Sequence, residues 1–357
     1  MKFEYRAALV AVALAGSMPA SAAGYRIFVT NERSGDVTVI DGGDFKVVST
    51  IAVGKRPRGI HVSPDGKTVY VALSGTPIEG PPALDAQGNP ILKKNNKADD
   101  DDDDDAKADK SADGIGIVNV AQKKLTGRIS AGSDPEEFVL SKDGSRIYVS
   151  NEDIETASVI NIASGKVEHI IPVGREPEGV GVTPNGKQFY VTCETGGEVF
   201  VIDTTTYQVA GHFTVPVRPR SVDFLSTGKI GFIPSESKSQ LNVIDVAAAQ
   251  VLKTIDLPAG SRPMKVKVSV DDRRVYVSDG RAGTVTVLDA QTYGLLATVK
   301  VGTRPWGVAL SPDGKYLFTA NGPSNDVSVV DLATNTEIAR VQAGQSPWGL
   351  VIVKSPQ

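Results

Sequence analysis

Short runs of alternating apolar and polar residues recur along almost the whole chain. The clearest copy is VGTRPWGVALSPDGKYLFTAN, residues 301–321, where a proline loop leads into a strand pattern, an SPDG turn and a second strand pattern. Alternation with a period of two is typical of strands that bury one face. With this copy as a guide, we expect four strands in each unit, here A at 308–311, B at 316–320, C at 327–331 and D at 337–342.

The loop proline marks seven copies of this unit. The copies begin at Pro57, Pro135, Pro177, Pro219, Pro263, Pro305 and Pro347, at intervals of 78, 42, 42, 44, 42 and 42 residues. A fixed period near 42 with four strands per unit is typical of a propeller, in which radial repetition leaves only short and protected sheet edges. The sequence therefore predicts an all-β fold, a seven-bladed β-propeller of four-stranded blades.

The two ends of the chain predict how the ring closes. After Pro347 only one strand pattern follows, at 349–353, and the amino-terminal part begins with a B strand at 25–31, followed by C at 36–41 and D at 46–53. We expect the last strand to complete the first blade, so that residues 24–357 form a single propeller.

Turn residues separate the strands. The A and B strands are joined by SPDG or a relative of it, in which proline presets φ and glycine supplies a positive φ. Each C strand ends in a residue whose side chain can accept hydrogen bonds from its own turn. We interpret these residues as scaffold: Asp41, Asn119, Asn161, Asp203, Asp245, Asp289 and Asp331.

Residues 1–23 differ from the repeats. Lys2 and Arg6 precede a short apolar run and the small residues Ala20, Ser21 and Ala22, a pattern typical of a secretory signal peptide. The run is shorter than the roughly 20 residues of a membrane span, so we expect a periplasmic protein with no membrane span. Cys193 is the single cysteine, which excludes an intramolecular disulfide.

The first interval is 36 residues longer than the usual interval of 42. We assign the excess to an acidic, flexible insertion at 75–113 in the second blade, which holds eleven acidic residues and five lysines. Carboxylate oxygens suit hard cations such as Ca²⁺, so the segment is either a solvated acidic loop or a collector of such ions. The spacing of an EF-hand loop is absent. Outside the insertion the charge is close to neutral, and no basic stripe predicts nucleic-acid binding.

The proline loops and the B to C loops should share one face of the ring, which we call the mouth. Functional residues concentrate on loops of a rigid scaffold. One arc of the mouth is basic and aromatic, and we predict that it binds a ligand or partner. Its residues, together with two arginines of the second blade, are Arg56, Arg58, Arg218, Arg220, Arg262, Arg304, Trp306 and Trp348.

The other arc is an acidic sector in blades three and four. Its carboxylates are candidate metal ligands for calcium or a lanthanide: Asp134, Glu136, Glu137, Glu152, Asp153, Glu176, Glu178 and Glu194. Two interpretations stay open. Arginines and glutamates pair across adjacent blades and solvate the rim, or carboxylates gather a cation while arginines and tryptophans hold an anionic or planar group.

No known reaction motif is visible in the chain. Sequences of the G-x-S-x-G, P-loop and H-E-x-x-H types are absent. On strand A, Asp223 and Lys267 come from adjacent blades, and we expect them to form a structural ion pair. The sequence predicts no catalytic residue.

Strings such as YVSN at 148–151, YVTC at 190–193 and TVTVLD at 284–289 resemble the YVTN family of β-propeller repeats over residues 25–353. The segments AGSDPEEFVLSKDG, YVSNED and RPWGVALSPDGK resemble the PQQ-dependent catabolism-associated β-propeller proteins. That resemblance implies an exported accessory role beside quinoprotein alcohol oxidation and transport systems, and it implies no catalytic residues. The aspartate block departs from the family pattern.

Three functions follow as hypotheses. The first is a non-catalytic, monomeric binding or scaffold protein with a periplasmic quinoprotein or transport component as partner and no certain cofactor. The second is a periplasmic protein that handles calcium or lanthanide ions, and the third is a lactonase-like metal hydrolase.

Overall fold

The fold is a seven-bladed β-propeller, as the repeat predicts. The computed structural model describes residues 24–78 and 108–354, which form 28 strands in seven four-stranded antiparallel sheets. The predicted signal peptide at 1–23 lies outside the described residues, as do residues 79–107 of the predicted acidic insertion. The described part of the chain has no helix long and apolar enough to cross a membrane.

Each blade follows the same order from the axis outward, A, B, C and D. Blade one comprises β1 (Tyr25–Asn31), β2 (Asp36–Asp41) and β3 (Val47–Ala52) besides its A strand, which comes from the end of the chain, and blade two comprises β4 (Ile60–Val62), β5 (Thr68–Leu73), β6 (Gly114–Asn119) and β7 (Lys124–Ile129). Blade three comprises β8 (Pro135–Leu140), β9 (Arg146–Asn151), β10 (Thr156–Asn161) and β11 (Lys166–Pro172). Blade four comprises β12 (Pro177–Val182), β13 (Gln188–Cys193), β14 (Glu198–Asp203) and β15 (Val209–Thr214).

Blades five to seven and the closing strand continue this order. They comprise β16 (Asp223–Phe224), β17 (Ile230–Ser235), β18 (Gln240–Asp245) and β19 (Gln250–Asp256); β20 (Pro263–Val268), β21 (Arg274–Asp279), β22 (Thr284–Asp289) and β23 (Leu295–Lys300); β24 (Pro305–Leu310), β25 (Tyr316–Asn321), β26 (Asp326–Asp331) and β27 (Thr336–Gln342); and β28 (Pro347–Lys354), the A strand of blade one.

The predicted ring closure is confirmed. Strand β28 pairs antiparallel with β1, from Tyr25 opposite Lys354 to Asn31 opposite Pro347. The amino-terminal and carboxyl-terminal parts of the chain therefore build one sheet. Apolar side chains pack between every pair of neighbouring blades, including blades seven and one, where Leu350 joins Ile27 and Phe318.

Five of the seven A strands begin earlier than expected, at the loop proline itself. Strand β24 starts at Pro305, not at residue 308, and Pro305 lies opposite Asn321 while Val308 lies opposite Thr319. Between these pairs, Trp306 and Gly307 of β24 face the single residue Ala320 of β25, which is a β-bulge. The bulge interrupts the period-two alternation, and this is why the pattern placed the strand start too late. Bulges at the same level occur in β8, β12, β20 and β28.

The scaffold interpretation of the C-strand ends is supported by their contacts. The Asp331 Oδ1 atom accepts hydrogen bonds from the amides of Ala333 at 2.8 Å and Thr334 at 3.0 Å. The same atom type accepts from the following turn at each of the other six positions. These side chains stabilise turns on the face opposite the mouth.

The last residue of strand B ties this strand to strand C. The side-chain amides of Asn31, Asn151 and Asn321 each donate to a hydroxyl of strand C at 2.8–2.9 Å. In blade six Asp279 takes this position, fully buried, and accepts from Thr284 and Thr286 instead. Burial raises the pKa of Asp279 to about 6, although the threonine hydrogen bonds act to lower it.

Replacement of Asp279 by asparagine is expected to stabilise the protein above pH 6. A carboxyl group whose pKa is higher in the folded state favours folding below its unfolded pKa of about 3.9, and this contribution is lost as the pH rises through 6. Asp279→Asn should therefore gain about 2 kcal/mol more at pH 8 than at pH 4, as measured by urea unfolding. The reverse change in blade three, Asn151→Asp, should lose stability over the same pH range. Equal effects at both pH values would contradict this account.

Candidate functional site

The proline loops have the same backbone in all seven blades. The residue before each loop proline has a positive φ between 42° and 65°, a conformation that residues other than glycine seldom adopt. Its carbonyl accepts a hydrogen bond from the residue after strand B in six blades, for example from Glu32 to Ser346 at 2.9 Å. These seven residues are Arg56, Asp134, Glu176, Arg218, Arg262, Arg304 and Ser346. The same loop backbone thus carries four arginines, two acidic residues and one serine.

The residue after the proline lies within the bulge. In three blades a hydroxyl group of the preceding blade donates a hydrogen bond to the carbonyl of the residue after the proline. These bonds run from Thr30 to Arg58 at 2.7 Å, from Ser150 to Glu178 at 2.8 Å and from Ser278 to Trp306 at 2.8 Å. Bulges redirect side chains. This hydrogen bond therefore holds the backbone of the mouth while its side chains vary.

Arg58 is the most deeply buried cation of the mouth, with 2% of its surface exposed. Its guanidinium forms ion pairs with Asp134 and Glu136 of blade three and lies 3.8 Å from Glu152. It also donates to the carbonyl of Pro135 at 3.1 Å. Burial alone would lower the pKa of Arg58, but the surrounding carboxylates raise it, so the residue stays charged.

The carboxylates around Arg58 form a compact acidic cluster. Oxygens of Asp134, Glu136 and Glu152 lie within 4.8 Å of one another. Burial raises the pKa of Glu152 to about 7, and burial together with the neighbouring carboxylates also raises the pKa of Glu136.

This cluster has the oxygen chemistry that a hard cation requires. However, the positive charge at its centre is the Arg58 guanidinium, which already pairs with all three carboxylates. A metal ion would have to share these oxygens with Arg58. The residues present therefore fit an arginine-centred network better than a metal site.

Arg220 has an equivalent network in blades four and five. Its guanidinium pairs with Glu178 and Glu194 and donates to Glu236 at 2.8 Å. Arg218 pairs with Glu194 at 2.7 Å and with Glu236 at 2.9 Å. The pKa of Glu236 falls to about 2 because Arg220 and Arg218 outweigh the effect of its burial. The predicted acidic and basic arcs are thus joined by ion pairs where they meet.

The other predicted residues have more local partners. Arg56 donates to Glu32 at 3.1 Å, and Arg262 lies 3.3 Å from Glu236. Asp153 pairs with Lys110, at the described end of the insertion, and Glu176 accepts from Thr195. Asp223 and Lys267 form the expected ion pair at 2.9 Å.

Arg304 differs from the other five arginines predicted at the mouth. Within residues 24–78 and 108–354 no carboxylate lies within ion-pair distance of its guanidinium. The reason is visible in the repeat, because the position after strand B is Glu32, Glu152, Glu194 or Glu236 in four blades and Gly280 or Gly322 in blades six and seven. Burial and the nearby Arg220 and Arg218 lower the pKa of Arg304.

Arg304 lies over an aromatic platform. Its guanidinium is 4.9 Å from the centre of the Trp306 ring, and the guanidinium of Arg220 is 5.3 Å from the same ring. Trp306 and Trp348 stack with their ring centres 5.7 Å apart and an angle of 23° between the planes. The sequence predicted that both tryptophans occupy the same repeat position in neighbouring blades, and the structure brings them into contact.

A cavity of about 310 Å³ opens below this platform along the axis of the ring. The two tryptophans, Met264 and Arg220 line its upper part, and apolar side chains of the A strands, among them Val308 and Leu350, line its walls. A volume of this size is at the lower end of small-molecule binding sites.

Sequence reasoning missed Lys265. Its ammonium group, on blade six, pairs with Glu137 on blade three and so crosses the axial cavity. The sequence contains a signal for this pair at the position two residues after the loop proline. Five blades have a small residue there: Gly59, Gly179, Ser221, Gly307 and Gly349. The other two blades have Glu137 and Lys265, which are long and of opposite charge. Glycine is needed for close approach of the A strands, since a Cβ atom on Gly307 would lie 2.8 Å from the Trp348 carbonyl.

Comparisons with known proteins give the fold and two partial family matches. Residues 3–176 match the choice-of-anchor I domain, and residues 180–347 match the family described as lactonase, 7-bladed beta-propeller. Each match covers less than half of the chain. No curated protein matches the sequence.

Solved structures with the same fold have diverse descriptions. Hydrazine synthase from Kuenenia stuttgartiensis is 20% identical with a TM-score of 0.70, over 90% of this chain and 99% of that one. A candidate 6-phosphogluconolactonase from Bacteroides fragilis is 18% identical with a TM-score of 0.71, over 94% and 100%. The dihydro-heme d1 dehydrogenase NirN is 16% identical with a TM-score of 0.59, over 89% of this chain and 63% of that one. At these identities the likeness concerns the fold alone.

Proposed function

We propose that the protein is a binding propeller whose mouth holds a planar, anionic ligand on the Arg304, Trp306 and Trp348 platform. The observation that carries this proposal is that Arg304, half-buried beside two other arginines, lies on an aromatic pair and has no carboxylate partner among the described residues. An anion at this point would relieve the repulsion among the three guanidinium groups, while a planar body would stack on the tryptophans.

The proposed setting is the periplasm, with the protein acting as a non-catalytic accessory of a PQQ-dependent alcohol oxidation and transport system. The signal-peptide pattern at 1–23 and the resemblance of residues 131–144 and 304–315 support this setting. The cofactor of such a system, pyrroloquinoline quinone, is itself planar and anionic, which makes it a natural molecule to test at the mouth.

Calorimetric titration with 2-naphthoate tests the binding function. We expect the carboxylate to bind, 2-naphthol to bind more weakly, and Arg304→Met to weaken the affinity for 2-naphthoate about tenfold, the usual effect of losing a hydrogen bond to a charged group. Arg273→Met, an exposed arginine on the opposite face with 82% of its side chain accessible, is the matched control and should leave the affinity unchanged.

An unchanged affinity in the Arg304→Met variant would contradict the proposed site. Titration with pyrroloquinoline quinone tests the proposed link with PQQ-dependent oxidation independently of the proposed binding site. Binding of 2-naphthoate without binding of the quinone would keep the mouth site and remove the proposed link with PQQ-dependent oxidation.

A lactonase-like hydrolase is a second candidate, favoured by the family match over residues 180–347. Turnover of a lactone by the purified protein would replace the non-catalytic proposal. The metal-handling alternative has less support, because Arg58 supplies the positive charge within the Asp134, Glu136 and Glu152 cluster.

A further inference from the structure

The ion pair between Glu137 and Lys265 divides the axial cavity between two chemically different ends. Above it lie the tryptophan platform and Arg304, and below it the A strands present apolar side chains such as Val268 and Leu310. The pair comes from blades on opposite sides of the ring. A ligand that enters from the mouth and fills the cavity must therefore contact this pair with its inner end.

Both oxygens of the Glu137 carboxylate already have partners. With 4% of its surface exposed, it accepts from the Phe138 amide at 3.1 Å, lies 3.2 Å from the His61 Nε2 atom and pairs with Lys265. Lys265 and His61 lower the pKa of Glu137 to about 2 although burial acts in the opposite direction. Glu137 is ionised and cannot donate a hydrogen bond to a ligand.

The Lys265 ammonium group has more N–H donors than its contact with Glu137 requires. An ammonium group has three N–H donors, and within the described parts of the chain Glu137 is the partner that the Lys265 Nζ atom contacts. The side chain is 30% exposed, toward the cavity that it lines. Up to two N–H groups can therefore donate to a molecule in the cavity.

Charge balance decides which acceptor suits this position. Lys265 is already neutralised by Glu137, so a second carboxylate placed here would be a buried charge without a counter-ion, which is costly. A carbonyl oxygen is neutral and accepts a hydrogen bond from an ammonium group without displacing Glu137. The platform at the mouth and the middle of the cavity therefore select different groups, an anion at Arg304 and a neutral acceptor at Lys265.

We propose that the ligand is a planar carboxylate whose inner end bears a carbonyl oxygen, and that Lys265 selects for this oxygen. This inference rests on the proposed function, because it assumes that the anionic end of the ligand binds at Arg304. Glu137 acts as a positioning residue, since it holds the Lys265 ammonium group at the centre of the cavity.

A matched pair of probes tests the inference. Anthraquinone-2-carboxylate and anthracene-2-carboxylate have the same ring plan and the same anionic group, and only the first has carbonyl oxygens. By calorimetry we expect the quinone to bind about tenfold more tightly, as for one hydrogen bond to a charged donor. Lys265→Met should abolish this difference.

Two further variants make the result interpretable. Removal of Lys265 alone leaves Glu137 without its cation, so the double variant Glu137→Met/Lys265→Met, which removes both charges and adds no N–H donor, is measured beside it and should also lose the preference for the quinone. Lys267→Met is the matched control, because Lys267 lines the same cavity farther from the mouth and pairs with Asp223. This control should keep the preference.

The outcomes separate the two proposals. Equal affinities for both probes in the parent protein, or a preference that survives in the double variant, would overturn the role of Lys265 and leave the mouth site intact. Failure of both probes to bind would overturn the mouth site together with this inference.

Discussion

Deletion of residues 347–357 is expected to abolish the cooperative thermal unfolding transition of the protein. The deleted residues include β28, which supplies the inner strand of blade one and pairs with β1 along its whole length. Val353 packs in the interface between blades one and two, and Leu350 packs in the interface between blades seven and one. Loss of one strand therefore opens two interfaces.

The size of the effect follows from the burial. Trp348, Leu350 and Val353 are each at most 8% exposed, and a buried side chain of this kind contributes about 1.5–3 kcal/mol. Together with the lost strand pairing, the deficit is comparable with the roughly 5–15 kcal/mol that keeps a domain folded. Circular dichroism melting curves would measure it. Deletion of residues 355–357 alone, which leaves β28 intact, is the control, and a parent-like melting temperature after the longer deletion would exclude this role of β28.

Replacement of Arg58 by methionine is expected to cost about 3–5 kcal/mol, since removal of one partner leaves buried charges uncompensated. The side chains of Asp134 and Glu136 that face it are 3% and 7% exposed. Because Glu136 and Glu152 already have raised pKa values, protonation can relieve part of the repulsion. The loss of stability should therefore be smaller at pH 5 than at pH 8, as measured by urea unfolding.

Arg56→Met is the matched control for this experiment. Arg56 lies at the mouth two residues before Arg58 in the sequence, and its side chain is 15% exposed. Among the described residues it has one carboxylate partner, Glu32. Its loss should cost about 1 kcal/mol or less, as is usual for a more accessible pair. If the two arginine variants were equally stable, the charge cluster around Arg58 would not be the source of the effect.

The sequence was sufficient for the scaffold because the scaffold depends on patterns that repeat. Alternation located the B, C and D strands to within about one residue, and the single strand pattern after Pro347 predicted the closure with β1. Turn residues such as Asp331 accept hydrogen bonds from the amides of their own turns, as their residue type predicts. Each of these features is determined by a few neighbouring residues, and the sequence contains them side by side.

The candidate site depended on contacts that the sequence does not place side by side. On the sequence alone, Arg58 belongs to the predicted ligand-binding residues and Glu136 to the acidic sector, whereas the structure joins them in one buried network. The pairing of Glu137 with Lys265 joins residues 128 positions apart, and it becomes visible only when the glycines at the equivalent positions are compared. The sign of each charge can be read from the sequence, but the residue with which a charge pairs depends on the geometry of the ring.

The closure of blade one also determines when this protein can finish folding. Strand β1 is synthesised first and β28 last, and Tyr25 and Lys354 are partners in the same sheet. At a synthesis rate of about 5–20 residues per second, the unpaired edge of β1 waits for roughly tens of seconds. Exposed edges invite pairing with other chains. Until β28 pairs with β1, we expect the newly made chain to be more open to aggregation than a fold built from local contacts.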